Sequence, residues 1–572
     1  VSTAMPRIFG ELGGGQQNYT WVFTAYLLTS TITVPIYGKL SDIWGRKWFF
    51  MGGIILFLIG SALSGASQSV IQLIIFRALQ GVGAGAMMPI AFAIIGDIFP
   101  PAERGKWQGL FSGVFGLASI VGPALGGWIT DSFSWRWIFY INLPLGIVAL
   151  FVLFFTLPVF RNPQASRQID YLGTVLLVVG ITPLLLGFSL AGTGPGLYAW
   201  NSVQIIALFS VAGVGTLAFI FWELFGSKEP VLDLRLFKNR IFSVSIIITV
   251  MIGAAMFGTI LYIPLFLQNV TGVSATNSGS LLAPLMGGWV VASIISGQLL
   301  SRWGRYRILA LVGLACASVG MFLMTRIVVS SSQGEVVRNM IVLGIGMGTG
   351  IALFTIIVQN AFPINKIGVV TAALTFFRQI ASTIGTAVFG ALLTNQFDSS
   401  FPGQLQAAFP KTTSPQVLQA FQQNFANYNL LQATPQQIQQ GIAQGLIHSG
   451  TPAAAAPGLA AQWQPTLFTA LKYSLTSGLH EVFLVALILL AVAFVAALFL
   501  KEIPLRKASA PAGLASMGEG GHISTEETPS AANGAERELA GILPQTAPDN
   551  IGMDDAEEER DVGEKVGPPS GD

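Results

Sequence analysis

Few residues in this 572-residue chain can do chemistry, and those few sit in apolar surroundings. Arg77 interrupts the hydrophobic run 70–96, with Gln80, Gly81, Gly83 and Gly85 close behind it. A cation that deep in an apolar helix costs at least about 2.5 kcal/mol, so it needs partners or a wet cavity, and it marks a proton or ion path by default. The alternative is a stem left in the apolar phase while the charge reaches the surface. Arg378 in the run 368–394 is a second such cation, either functional or a packing anchor for a carbonyl. Asp42, Arg46 and Lys47 stand between two apolar runs, with Gly38 and Gly45 allowing a tight turn. They fit either a charged latch or a plain turn carrying positive charge. Gly122-Pro123, with Gly116, Gly126 and Gly127, can bend one helix and admit a neighbour to its backbone. No enzyme is indicated. His448, His480 and His522 are scattered, no phosphate-cradling Walker A pattern is present, and Cys316 has no disulfide partner. No cofactor, metal or nucleic-acid partner is expected.

The elements that must hold these residues are membrane helices. The chain is 52% hydrophobic and 10% charged, with mean hydropathy +0.65, against roughly 25% charged in soluble domains. A span needs about 20 mostly apolar residues. Spans are predicted near 20–39, 48–67, 70–96, 107–129, 137–158, 170–190, 201–223, 241–267, 276–300, 308–327, 338–360, 368–394 and 479–500. No signal peptide is legible after Val1, and residues 1–9 read as the last turns of a truncated helix, so fourteen spans are expected in full.

Charge orients them. From Ala508 onward the chain holds 14 acidic and 3 basic residues, which leaves 13 acidic and 26 basic in the rest. Eighteen of those 26 fall in the loops on one side and 6 on the other, with Arg77 and Arg378 inside spans. The positive-inside rule then makes both termini cytoplasmic. Segment 395–478 becomes an external loop, in which the proline starts at Pro415 and Pro435 and the four-residue spacing of Val417, Phe421, Phe425 and of Ile438, Ile442 suggest two short amphipathic helices. The tail 508–572 reads as acidic and disordered.

A repeat organises the body. Gly38-Lys-Leu-Ser-Asp-Ile-Trp-Gly-Arg-Lys47 returns 259 positions later as Gly297-Gln-Leu-Leu-Ser-Arg-Trp-Gly-Arg-Tyr306, and Phe99-Pro100 returns as Phe362-Pro363. Two similar halves meeting at a midplane site are the usual build of a secondary transporter. The second copy has Ser301 for Asp42 and Val342 for Arg77, so the charged chemistry is lodged in the first half.

These residues carry a resemblance. Gly38 to Lys47 looks like the loop signature of the major facilitator superfamily, and Arg77-Ala-Leu-Gln80-Gly81-Val-Gly83 resembles its fourth-helix signature. Gly116 through Gly122-Pro123-Ala-Leu-Gly126-Gly127 resembles the fifth-helix signature of its antiporters. Trp135-Arg-Trp-Ile-Phe-Tyr-Ile-Asn142-Leu-Pro144-Leu-Gly146 and Pro230-Val-Leu-Asp-Leu-Arg-Leu-Phe237 are similar to sequences of the fourteen-helix drug:proton antiporters. That subfamily carries an Asp in its first helix, at a position that would precede Val1.

The resemblance implies an all-α major facilitator fold: an N-terminal six-helix half over 1–160, an inserted helix pair over 161–230 and a C-terminal half over 231–507. It implies export, across the cell or inner membrane, of an amphipathic, cationic or neutral hydrophobic solute in exchange for protons. Asp42, Arg46 and Lys47, with Gly38 and Gly45, would latch the cytoplasmic gate. Arg77 and Gln80 would serve proton coupling, and the bend at Gly122, Pro123, Gly126 and Gly127 would prevent leak. A substrate-specific exporter or lipid translocator of the same fold is the nearest rival, and a non-transporting sensor or scaffold is a more distant one.

Overall fold

The structure, a computed structural model, describes residues 4–12, 17–159, 168–192, 197–271, 282–409, 435–448, 452 and 455–505. Within these the fold is helical. A short α1 (Met5–Leu12) precedes α2 (Gln17–Trp44), α3 (Arg46–Ala66), α4 (Val70–Ile98), α5 (Pro101–Ser132) and α6 (Trp137–Thr156). Then come α7 (Tyr171–Leu190), α8 (Val203–Gly226), α9 (Arg240–Asn269), α10 (Ala283–Trp303) and α11 (Tyr306–Thr325). The last are α12 (Gln333–Ala361), α13 (Ile367–Ala408), α14 (Pro435–His448) and α15 (Ala456–Leu498).

Local chemistry sets the starts. Ser69, Asp170, Ser202 and Asn239 each accept a backbone N–H of the following turn, and Ser332 with Glu335 forms a reciprocal capping box. Pro101 occupies the first turn of α5, where its missing N–H costs nothing. Eleven helices among the described residues are long and apolar enough to cross a membrane. Helices α2 and α5 are as long but richer in Ser, Thr and Gly. The outer faces tell the same story. Leu145, Phe151 and Phe155 of α6 and Val203, Val214 and Phe221 of α8 are exposed, a surface that suits hydrocarbon as solvent.

Small residues bring the helices together. Gly81 and Gly85 of α4 lie against Tyr26, Thr29 and Thr33 of α2, while Gly83, on the opposite face, meets Gly53 and Phe57 of α3. Gly180 of α7 meets Thr216 of α8. Gly478 of α15 meets Leu393 of α13, and Gly320 of α11 meets Leu343 of α12. The repeat is visible in the backbone too. Gly45 and Gly304, its equivalent 259 positions on, both take positive φ, 103° and 67°, a conformation in which other residues are strained.

The helices differ from the sequence expectation at the far end. The span expected over 368–394 continues to Ala408, and the one expected over 479–500 begins at Ala456. Phe397, Phe401 and Leu405 recur every four residues and are buried, and Phe409 packs edge-on against Trp463. Burial of that stripe keeps the helix going after its membrane run ends. Of the two short helices expected between them, the one beginning at Pro435 is present and buries Ile442 and Leu446. The other, starting at Pro415, lies outside the described residues, as does the tail from residue 508.

Candidate functional site: a charged latch beneath a central cavity

At one end of the bundle α2 runs past its apolar stretch into Asp42. The Asp42 carboxylate forms an ion pair with Arg46 and accepts the Val369 N–H at 3.0 Å. The Asp42 carboxylate thereby caps the first turn of α13, 327 residues away in sequence. Arg46 completes the cluster, donating to Asp97 at 2.9 Å and to Ser41 Oγ at 2.9 Å. All three charged groups are nearly withdrawn from water, with side chains 5% to 12% exposed. Burial pushes the Asp42 carboxyl up to about 6, with Arg46 opposing the shift and Asp97 reinforcing it.

The latch has no room to spare. A Cβ on Gly368 would overlap both Asp42 and Arg46, and one on Gly38 would strike Ala372 of α13. The repeat equivalent of Gly38 does the same work on the other flank: Gly297 of α10 lies against Gly105 and Gly109 of α5. Ser293 donates to the Gly109 carbonyl at 3.0 Å. Between these two crossings, Gln108 donates to Gln359 at 3.0 Å, and Gln359 donates to the Phe92 carbonyl at 3.1 Å and to Thr371 at 3.0 Å. The Pro230–Phe237 segment is tied to the same end by Lys39–Glu229 at 2.8 Å and Lys366–Asp233 at 3.3 Å. Glu223 holds that segment by accepting the N–H groups of Val231 and Leu232.

Lys47, grouped with the latch by the sequence, turns away from it. Its ammonium donates to the Phe154 carbonyl at 2.6 Å and lies 5.2 Å from the Phe154 ring, fastening α3 to α6. Arg77 and Gln80 are brought together: the guanidinium donates to Gln80 at 2.6 Å and stacks 4.0 Å over Tyr26, with a longer bond to the Val22 carbonyl. Arg77 is 6% exposed, so its charge is held inside rather than carried to the surface. Among the described residues it pairs with no carboxylate. Gly116 packs against Val290, but Gly122 and Gly127 face open space. The close helix contacts of α5 are therefore made in this state by Gly105 and Gly109, which precede the motif, and by Gly116, its first glycine.

Alongside Phe111–Phe115 of α5, before Gly116, a cavity of about 440 Å³ opens between α2, α4, α5, α7, α9, α10, α12 and α13, a size suited to a drug-like ligand. Met88, Phe92, Phe111, Phe115, Met256 and Trp289 supply its apolar wall. Leu27, on the side away from the latch, lines it while 52% exposed. These residues are not legible before folding, since aromatic side chains in apolar spans carry no mark of which face they take. Asp97 and the Gln108–Gln359 pair were missed for a related reason: their partners are distant in the chain.

Comparison with known proteins identifies the family. The model of the Major Facilitator Superfamily matches residues 1–386. The multidrug transporter protein MdtP of Bacillus subtilis is 39% identical over 512 residues, 88% of this chain and 90% of that protein. Multidrug resistance protein 3 of the same organism is 40% identical over 399 residues, 69% of this chain and 76% of that one. The efflux pump roqT of Penicillium rubens is 33% identical over 427 residues, 73% and 78% of the two chains. Among solved structures, the proton:xylose symporter XylE has a TM-score of 0.50 at 13% identity, covering 69% of this chain and 84% of its own, a likeness of fold alone. The chain is a multi-pass membrane transporter that belongs to the Major Facilitator Superfamily.

Proposed function

We propose that the protein exports amphipathic, drug-like solutes in exchange for protons by alternating access, and that the structure is its outward-facing state. The observation that carries this reading is the pairing of a closed, charged latch at the basic end with a mostly apolar cavity beyond it. The 18-to-6 division of basic residues puts the latch on the cytoplasmic side of a cell membrane, with both termini there. Two six-helix halves, α1–α6 and α9–α13 with α15, would rock about the cavity, with α7 and α8 inserted between them. Relatives named as a multidrug transporter, a multidrug resistance protein and an efflux pump support export of drug-like solutes. Arg77 and Gln80 would tune the proton step by fixing α4 against α2, since Arg77 meets no carboxylate among the described residues. A substrate-specific exporter or lipid translocator is the alternative within the fold, and competition between chemically unrelated dyes separates it from a multidrug pump.

Flux in proteoliposomes tests the proposal. Efflux should collapse with a protonophore and be indifferent to added ATP, and Arg77→Ala should displace its pH profile. Efflux that persists without any ion gradient would remove proton coupling from the reading.

A further inference from the structure

The central cavity contains one charged side chain, Arg378, and no acidic residue lines it among those described. Arg378 lies eleven residues beyond Ile367, the start of α13. At 1.5 Å per residue that is about 17 Å along the helix, near the middle of a roughly 30 Å hydrocarbon layer. Its position is fixed by packing. Gly253 of α9 faces its stem, where a Cβ would come within 3.1 Å of Arg378 Cγ and 2.9 Å of its carbonyl oxygen. Ser382 donates to that same carbonyl at 2.8 Å. The guanidinium itself has no hydrogen-bond or ion-pair partner among the described residues, unlike Arg77, which is fully engaged.

The neighbouring polar groups narrow what it can receive. Thr31, Ser382, Thr383 and Thr386 spend their hydroxyl protons on carbonyls of their own helices. Their oxygens can only accept from a ligand. Trp289 Nε1, Ser112 Oγ and Gln379 Oε1 are buried without partners, and the Trp289 N–H, the Gln379 amide and the Ser112 hydroxyl are neutral donors. Arg378 is the one charged donor among the described residues that line the cavity. A guanidinium presents paired N–H groups that match a carboxylate, sulfonate or phosphate. A cationic solute would instead meet a like charge in a low-dielectric space.

We propose that Arg378 is the head-group subsite of the cavity and that the favoured solutes are amphipathic anions, with the anionic head on Arg378 and the apolar body against Phe92, Phe111, Phe115 and Trp289. This rests on the cavity being the transport site, and it departs from the cationic or neutral solute that the family resemblance implies.

A matched probe series tests it: pyrene with a butyrate, a butanol or a butyl-trimethylammonium arm, with the full chain in phosphatidylcholine vesicles. The wild type should bind the carboxylate about tenfold or more tighter than the ammonium, equivalent to about 1.4 kcal/mol. Arg378→Gln should lose about tenfold on the carboxylate while holding the alcohol within about twofold, which shows an intact cavity. Arg378→Lys should recover part of the loss, because it restores the charge without the planar fork. A carboxylate affinity unchanged in Arg378→Gln, or a wild-type preference for the ammonium, overturns the proposal. If Arg378→Gln fails to fold, the wild-type preference and Arg378→Lys still decide. Adding phosphatidylglycerol separates the two sources of anion. If it competes with the carboxylate only while Arg378 is present, a lipid head group shares the subsite. If no probe is transported at all, the efflux reading fails; transport of the alcohol with no preference for the carboxylate sinks this inference alone.

Discussion

Asp42 carries more consequence than its surroundings in the sequence suggest. Its carboxylate reaches Arg46 on its own side and the Val369 N–H on the other, so its charge state bears directly on whether the two sides stay joined. Burial raises the carboxyl from its ordinary 3.8 to about 6 in the closed latch. A group raised in one state and ordinary in another favours the first most below its ordinary value, and that advantage is lost as pH rises through the raised value. Acidification from pH 7.5 to 5.5 should therefore populate the closed latch. Spin labels replacing the exposed Trp44 and Ile364 report its closure. Asp42→Asn should flatten the response and lower turnover about fivefold, the effect of roughly 1 kcal/mol on a two-state equilibrium, while solute affinity holds. A pH response that survives in Asp42→Asn would assign the titration to another group.

At the scale of elements, the crossings of α2 with α13 and of α5 with α10 are made by five glycines, and the repeat pointed to two of them. Gly38 and Gly297 stood out because they begin the two copies; their partners Gly368, Gly105 and Gly109 did not, since a glycine that receives a neighbour looks like any other. The spans and the latch residues Asp42 and Arg46 were legible, but the partners those residues take were not. An apolar run of fixed length is a local signal, whereas the Asp42–Val369 and Arg46–Asp97 contacts join distant parts of the chain. Helix ends failed where burial continued past the membrane, at Phe397, Phe401 and Leu405. Gly297→Val and Gly122→Val should separate the two kinds of glycine. The first places a side chain on the Gly105 carbonyl and should hold the basic end open, read as faster labelling of a cysteine at Trp44. The second meets nothing within 4 Å in this state and should leave both yield and labelling near wild type. Its turnover should fall all the same if Gly122 packs closely in the opposite state. Equal labelling in the two variants would mean that the α5–α10 crossing is not part of the gate.

For the whole molecule, the question is which face of the membrane the latch occupies. The charge division favours the cytoplasmic face, because Lys and Arg in short loops stay on the cytoplasmic side. The structure adds a constraint, since the groups that close the bundle, Asp42, Arg46, Asp97, Lys39 and Lys366, all lie at the basic end. Orientation and conformational state are thereby linked: reversing the topology would turn an outward-facing transporter into an inward-facing one. Single cysteines placed at Gln423 and Ser516, both outside the described residues, resolve the matter. They should be introduced with Cys316→Ser, because the native thiol is only partly buried. A membrane-impermeant maleimide added to intact cells should label the Gln423 site and spare the Ser516 site, which should react only after the membrane is opened. A third cysteine at Leu27, on the open side of the cavity, should label from outside and be protected by a bound solute. If Ser516 labels from outside and Gln423 does not, the topology is inverted, and the closed latch then faces the exterior.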